Sequence, residues 1–148
     1  MKIESSQLSS YEDAPWLEEN IEYENEDYVV YKDGYPVTEG HLLFVPKNKD
    51  KRSNITDCFA YAYDWGVRGI LDYKWEGFNV GINQNEVAGQ SVMWPHVHLI
   101  PRRKGDLGYF ENGTPHDPKG GVRNIIPHKG NYTEDNEWLD DNHWSKKI

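Results

Sequence analysis

Two histidines, His96 and His98, lie two residues apart in the apolar run "WPHVHLIPRR". Because successive side chains of a strand point to opposite faces, this spacing puts both imidazoles on one face, together with Trp94. Neutral imidazole is a nucleophile and a metal ligand near neutral pH, since its ordinary pKa is about 6.5. The pair is therefore compatible with attack on a phosphorus centre, with metal ligation, or with an ordinary structural role.

The surrounding sequence predicts the elements that would position this pair. Apolar alternation and turn residues predict strands at residues 28–31, 41–45, 78–83 and 91–100, and a helix at 54–74. The first two strands form a hairpin with a long connection, because Asp33-Gly34 and Gly40 mark a chain reversal. Strands, a helix and further strands joined by short turns predict an α+β domain on an antiparallel sheet.

The predicted helix carries two opposing signals. Ser53 or Asn54 is a suitable N-cap residue, and apolar residues recur at helical spacing behind it. Gly66 and Gly69 are expected to weaken the helix by up to about 1 kcal/mol each relative to alanine.

Composition limits the class of protein. A chain of 148 residues is long enough for one domain with a single core, and its net charge of −9 argues against a binder of nucleic-acid polymers. The lone cysteine, Cys58, excludes an internal disulfide and fits a reducing compartment, so the cytoplasm is the expected location. No apolar run approaches the roughly 20 residues of a membrane span, and the N-terminus lacks a signal-peptide core, so no membrane association is expected.

Three stretches together resemble the histidine triad (HIT) superfamily. They are "DGYPVTEGHLLFVPK" (33–47), "GFNVGINQNEVAGQ" (77–90) and "GQSVMWPHVHLIPRRKGD" (89–106), while "GGVRNIIPHKGNY" (120–132) is similar to a bacterial and phage-like subset. The resemblance covers about residues 28–132. It implies a HIT-like fold, with a five-stranded antiparallel sheet, one main helix packed on it, and a homodimer whose sheets join into ten strands. The expected organisation is an acidic N-terminal arm (1–22), the HIT-like domain (23–132) and an acidic tail (133–148).

The resemblance also assigns roles to individual residues. The triad falls on Trp94, His96 and His98, so its first histidine is replaced by tryptophan. His96 is then the catalytic nucleophile, and His98 the catalytic histidine that contacts the phosphate oxygens. The remaining expected substrate-binding residues are Asp33, for the ribose hydroxyls, and Asn83, Gln90 and Ser91, for the phosphate. His41 and Trp94 are expected to support the site from behind.

The reaction implied by the resemblance is a two-step transfer. His96 attacks the α-phosphorus of a nucleoside phosphoramidate, dinucleoside polyphosphate or similar conjugate, and water then hydrolyses the nucleotidyl-histidine. No cofactor is required, although a divalent metal can accompany the substrate as a counter-ion. Tryptophan offers one N–H donor and no acceptor, so Trp94 is expected to reduce activity or alter specificity.

Other interpretations stay open at the level of sequence. One is a nucleotide-binding HIT-like module with weak or lost turnover, and another is a metal site that joins His96 and His98 to a distant histidine. The basic residues near the motifs fit either polyphosphate contacts or solvated charges, and these are Arg102, Arg103, Lys104, Arg123 and Lys129. The remaining histidines are expected to lie on the surface, and these are His116, His128 and His143.

Overall fold

The computed structural model describes residues 8–107 and 120–126. The chain divides into two compact units, residues 1–102 and residues 103–148. The first unit contains the sheet, the helix and every residue discussed below as part of the site. In the second, the described residues form a turn after Arg103 and a short 3-10 helix at Val122–Ile125. The predictions for Lys129, for the other loop and tail histidines and for a boundary at residue 132 lie outside the described residues.

The first unit is built on five antiparallel strands in the order β1-β2-β3-β5-β4. Their bounds are β1 Ile21–Glu24, β2 Tyr28–Lys32, β3 Leu42–Pro46, β4 Gly77–Ile82 and β5 Val97–Arg102, and the helix α1 spans Arg52–Leu71. The predicted α+β class, with a five-stranded sheet and one main helix, is confirmed. No helix among the described residues has both the length and the apolar character that a membrane span needs.

The fold differs from the sequence prediction in three features, besides a helix that ends at Leu71 rather than at residue 74. β1 was not predicted from the pattern, because its four residues are mostly exposed at a sheet edge. The predicted strand 91–100 is wrong over its first half, since β5 begins only at Val97, after Pro95 has removed a backbone donor. The predicted helix cap is also wrong, because α1 starts after Lys51 without a side-chain cap, and the buried Asn54 side chain instead accepts from the Asn48 N–H at 3.3 Å.

The two faces of the sheet have separate apolar clusters. On the helix side, Val97 and Leu99 pack with Cys58 and Ala62 of α1. On the opposite face, a second cluster contains Leu8 and Ala14 from the segment before β1, together with sheet residues and Trp94. His98 lies beside Leu43 on the face opposite α1, and His96 contacts the His98 ring, so the two histidines share a face as the spacing predicted.

From here on, the N-terminal arm means residues 8–20, which are the described residues before β1. Its short 3-10 helix, Tyr11–Asp13, begins with a capping box in which the Ser10 hydroxyl accepts from the Glu12 N–H at 3.1 Å and the Asp13 carboxylate accepts from the Ser10 N–H at 3.1 Å. Lys49 donates to the Leu8 carbonyl at 3.3 Å. The polar, acidic sequence of this segment is compatible with a loosely ordered arm or a short helix, and the structure has the short helix, with Leu8 and Ala14 packed in the apolar cluster on the sheet.

Gly66 and Gly69 have a packing role that cannot be inferred from their low helix propensity. The ring of Trp75 lies across Gly69, where an added Cβ would come within 1.9 Å of it, and Phe78 lies across Gly66 at 2.6 Å from such a Cβ. The Trp75 indole N–H donates to the Gly66 carbonyl at 2.9 Å. These glycines therefore let two aromatic rings approach the helix backbone, which offsets their lower propensity.

Candidate active site

His96 and His98 are brought beside a third histidine by strand pairing. His98 lies opposite Leu43 of β3 and Gly81 of β4, and His41 directly precedes β3. The ring centroids are 5.1 Å apart for His96 and His98 and 5.2 Å apart for His98 and His41. Three imidazoles thus form a row across the middle of the sheet.

The hydrogen bond made by His96 determines its tautomer. Its Nδ1 lies 2.7 Å from the backbone carbonyl oxygen of Trp94. Because a carbonyl only accepts, Nδ1 carries the proton, and Nε2 keeps its lone pair. His96 is 7% exposed, and burial lowers its pKa, against the opposing influence of that hydrogen bond and of Asp33. His96 is therefore neutral near pH 7, with its lone pair on Nε2.

A similar argument assigns the protons of His41 and His98. The Val37 N–H donates to His41 Nδ1 at 3.2 Å, so His41 carries its proton on Nε2. That nitrogen lies 2.9 Å from His98 Nδ1 and 3.3 Å from Asp33 Oδ2. His98 Nδ1 consequently accepts, and its proton is on Nε2. His98 thus presents an N–H donor where His96 presents a lone pair.

Burial keeps this row uncharged. The pKa of His98 is lowered to about 4, first by burial and then by neighbouring His96 and His41, while Asp33 opposes the shift. Burial also lowers the pKa of His41, again against Asp33. A neutral His98 can donate a hydrogen bond to an anionic oxygen. Before that oxygen binds, the site then holds no unpaired imidazolium charge, which would be costly to bury.

The metal hypothesis joined His96 and His98 to a distant histidine, and the structure groups the residues differently. Among the described residues, the ligand atoms that cluster within 4.8 Å of one another belong to Asp33, His41 and His98, and His96 is not a member. His41 Nε2 is the atom that carries a proton, because Nδ1 accepts from Val37. A metal bound to Nε2 would leave the imidazole proton on Nδ1, where it would face the Val37 N–H. The arrangement therefore favours a chain of hydrogen bonds over a metal site.

The expected substrate-binding residues are in different environments. Asp33 is half-buried at the start of the hairpin loop, where its Oδ1 accepts from the Tyr35 N–H at 2.8 Å. Asn83 and Ser91 are exposed, and their predicted phosphate contacts remain predictions. Gln90 is buried, and its amide accepts from the Asn85 N–H at 2.7 Å and donates to the Val92 carbonyl at 3.0 Å. Gln90 therefore fixes the turn that precedes the histidines.

Trp94 is a core residue whose link to His96 is its backbone. The side chain is 2% exposed and packs in the apolar cluster with Leu43 and Val45. Its indole N–H donates to the Pro46 carbonyl at 2.8 Å, and Lys49 lies 5.6 Å from the ring centroid. The contact with His96 is made by the Trp94 backbone carbonyl, so it does not depend on the side chain at position 94.

Sequence reasoning missed Trp16. This half-buried residue of the N-terminal arm has its ring centroid 5.1 Å from that of His96, at an interplanar angle of 67°, and 5.7 Å from that of Tyr31. No spacing rule links position 16 to position 96. The sequence signal was limited to a large aromatic residue in a largely polar and acidic segment.

Arg102, one of the basic residues near the motifs, contacts a side chain of the neighbouring strand. Its Nη1 donates to Asn79 Oδ1 at 2.6 Å, across the pair β4 and β5. This contact orients the guanidinium along the sheet. A polyphosphate contact by Arg102 stays a prediction.

Fold and site together identify the family. The HIT domain profile matches residues 16–105, and the chain belongs to the HIT domain family. An uncharacterized HIT-like protein of Methanocaldococcus jannaschii is 33% identical over 91 residues, which are 58% of this chain and 70% of that protein. The asymmetrical bis(5′-nucleosyl)-tetraphosphatase of Schizosaccharomyces pombe is 33% identical over 80 residues, which are 49% of this chain and 43% of that enzyme. A Zn-bound histidine triad family protein from Mycobacterium smegmatis superposes with a TM-score of 0.56 at 29% identity, over 73% of this chain and 78% of that one.

Proposed function

We propose that this protein is a nucleotide hydrolase or nucleotidyl transferase that acts on the α-phosphate through a covalent nucleotidyl-His96 intermediate. The observation that carries the proposal is the bond from His96 Nδ1 to the Trp94 carbonyl at 2.7 Å. It leaves the Nε2 lone pair for attack and selects one tautomer before substrate arrives. The similarity to a bis(5′-nucleosyl)-tetraphosphatase supports the substrate class.

In the first step, the Nε2 lone pair of His96 forms a bond to the α-phosphorus as the bond to the leaving group breaks. The leaving group departs with that electron pair and takes a proton from solvent. In the second step, water attacks the same phosphorus, the bond to Nε2 breaks, and the nitrogen regains its lone pair. The water proton is released to solvent, so His96 ends as it began.

His98 has the complementary task. Its Nδ1 is occupied by the His41 N–H at 2.9 Å, so its Nε2–H is directed to an acceptor such as a non-bridging phosphate oxygen. A donor fixed before the reaction stabilises the charge that develops on that oxygen. No cofactor enters this scheme, and a divalent ion would act only as a counter-ion of the substrate.

Asp33 is proposed to accept from the ribose hydroxyls, and Asn83 and Ser91 to contact the phosphate. The Asp33 carboxylate has about four lone-pair directions, and the structure uses one for Tyr35 and directs a second oxygen to His41. Acceptor capacity therefore remains for a sugar. Asn83 and Ser91 lie exposed on either side of the turn that Gln90 fixes.

Trapping of the intermediate tests the proposal. The full chain is mixed with an α-³²P-labelled dinucleoside polyphosphate, quenched in base and digested, because a phosphorus–nitrogen bond survives base and is lost in acid. Label on the peptide that contains His96, absent in His96→Gln and retained in Tyr35→Ala, is the expected result. Turnover of the substrate by His96→Gln at the wild-type rate would contradict the mechanism.

A second candidate is a nucleotide-binding module with weak or lost turnover. The observation that favours it is the low exposure of His96, 7%, with an aromatic side chain against its ring. It predicts calorimetric binding of a nucleoside monophosphate without product release across a panel of phosphoramidates and polyphosphates. Product release that depends on His96 would reject this candidate.

A homodimer is proposed as the assembly. β4 forms one edge of the sheet, and one of its two sides is paired with β5. Addition of a second copy at this edge would satisfy the backbone groups of the other side and extend the sheet to ten strands. Light scattering after gel filtration, with Val80→Pro as the edge-disrupting variant, tests whether the mass is that of two chains.

A further inference from the structure

We propose that Trp16 is a positioning residue for His96. Its indole packs against the imidazole and, together with the Trp94 carbonyl at Nδ1, restricts the ring to a single orientation. This inference deepens the proposed function and rests on it for its catalytic consequence. Its structural part is measurable without any turnover.

Two contacts restrict the imidazole from different directions. The Trp94 carbonyl fixes the direction of Nδ1 at 2.7 Å, but one hydrogen bond still permits the ring to tilt about that bond. The Trp16 ring meets the imidazole edge to face, at a centroid distance of 5.1 Å and an angle of 67°. Aromatic pairs in this arrangement have a preferred geometry, so the second contact opposes tilting.

Trp16 itself is fixed to the sheet. Its ring packs on Tyr31 at 5.7 Å, and Tyr31 is a buried residue of β2. Ala14, two residues earlier, is buried in the same apolar cluster, while neighbouring Leu17 is 53% exposed. The arm thus directs Trp16 toward the sheet and the next residue toward solvent.

The proposal has a protonation consequence. Burial is the largest cause of the lowered His96 pKa, and the indole is part of what covers His96. Among the described residues, the charged or titratable groups that act on His96 are Asp33, from the loop after β2, and His98, from β5. Trp16 is uncharged, so its removal changes solvation and leaves these electrostatic partners in place.

The test compares Trp16→Ala and Trp16→Phe with Leu17→Ala, which changes an exposed neighbour in the same arm. Four quantities are measured on the full chain. They are the pKa of His96 and its tautomer, both by NMR, its rate of acylation by diethylpyrocarbonate, with the modified residue located by mass spectrometry, and the pH profile of turnover. We expect Trp16→Ala to raise the His96 pKa toward 6.5, and to change its acylation rate by about two- to tenfold. Trp16→Phe should keep the His96 pKa and acylation rate close to their wild-type values, and Leu17→Ala should leave both unchanged.

A wild-type His96 pKa and acylation rate in folded Trp16→Ala would overturn the proposal. If that variant does not fold, Trp16→Phe and Trp16→Leu decide, because only the aromatic replacement should preserve the His96 values, and equal values in both would also overturn it. Failure of the proposed function looks different: His96 would form no nucleotidyl adduct in the wild type, while its pKa and reactivity would still respond to Trp16.

Discussion

The indole N–H of Trp94 donates to the carbonyl oxygen of Pro46 at 2.8 Å, which ties the segment before β5 to the end of β3. Both residues are buried, so this bond is made in an apolar environment. We expect Trp94→Phe to lower the free energy of unfolding by about 1–3 kcal/mol, because the Pro46 carbonyl loses its donor. Urea denaturation measures the change, with the exposed Tyr35→Phe as control, and an unaltered midpoint would show that the bond contributes nothing.

His41 should affect the rate of reaction more than substrate binding. His41→Phe removes the donor to His98 Nδ1, so His98 is free to adopt the other tautomer and no longer presents Nε2–H. We expect kcat to fall by about ten- to hundredfold, with a smaller change in KM. His41→Gln keeps an N–H donor and should recover part of the loss. Equal activity in the two variants would contradict the assigned donor chain.

The activity of the protein should persist below the ordinary pKa of histidine. In the proposed mechanism His96 must be neutral to attack, and burial lowers its pKa below 6.5. We therefore expect kcat/KM to remain level as the pH falls through 6.5 and to decline only at lower pH. Steady-state rates in buffers of constant ionic strength measure this profile. A half-maximal rate at or above pH 6.5 would disagree with a buried, neutral nucleophile.

The stability of the fold should decrease in mild acid. The folded-state pKa of His98 is about 4, below its unfolded value near 6.5, so between these values the unfolded chain binds more protons than the folded one. The contribution of neutral His98 is fully present above about pH 6.5 and is lost as the pH falls toward 4. Thermal unfolding across this range should show a shallower decline in His98→Asn than in wild type. Identical slopes would assign the decline to other groups.

Gly69→Ala should destabilise the protein although alanine is the better helix former. The added Cβ would lie within 1.9 Å of the Trp75 ring, and displacing that ring also threatens its hydrogen bond to Gly66. We expect a loss of about 1–3 kcal/mol, which is typical of overpacking. Gly81→Ala is the matched control, since its Cβ would meet nothing within 4 Å. A more stable Gly69→Ala variant would mean that Trp75 has room to move.

The sequence was informative wherever local pattern determines structure. Alternation predicted that His96 and His98 share a face and that β4 presents Phe78, Val80 and Ile82 to one side, because a strand has a fixed period of two. β1 was not predicted, because it has only four residues and a register shift between Ile21 and Tyr23 interrupts its alternation.

Contacts between segments that are distant in the sequence could not be predicted from local sequence patterns. The grouping of Asp33 with His98, and of Trp16 with His96, depends on loop and arm geometry that tertiary packing sets. The role of Gly69 was hidden for the same reason, because a helix propensity does not record which ring lies on the helix. The residues expected at the site were therefore easier to name than the contacts that fix their protons.

The N-terminal arm has a consequence for how this protein can be shortened. The match to the family begins at residue 16, yet Leu8 and Ala14 cover Val29, Val45 and Trp94 on the sheet. A chain that started at the family boundary would expose this apolar surface to water, and such a patch promotes self-association. The residues just outside the shared domain thus keep this apolar face of the sheet away from water.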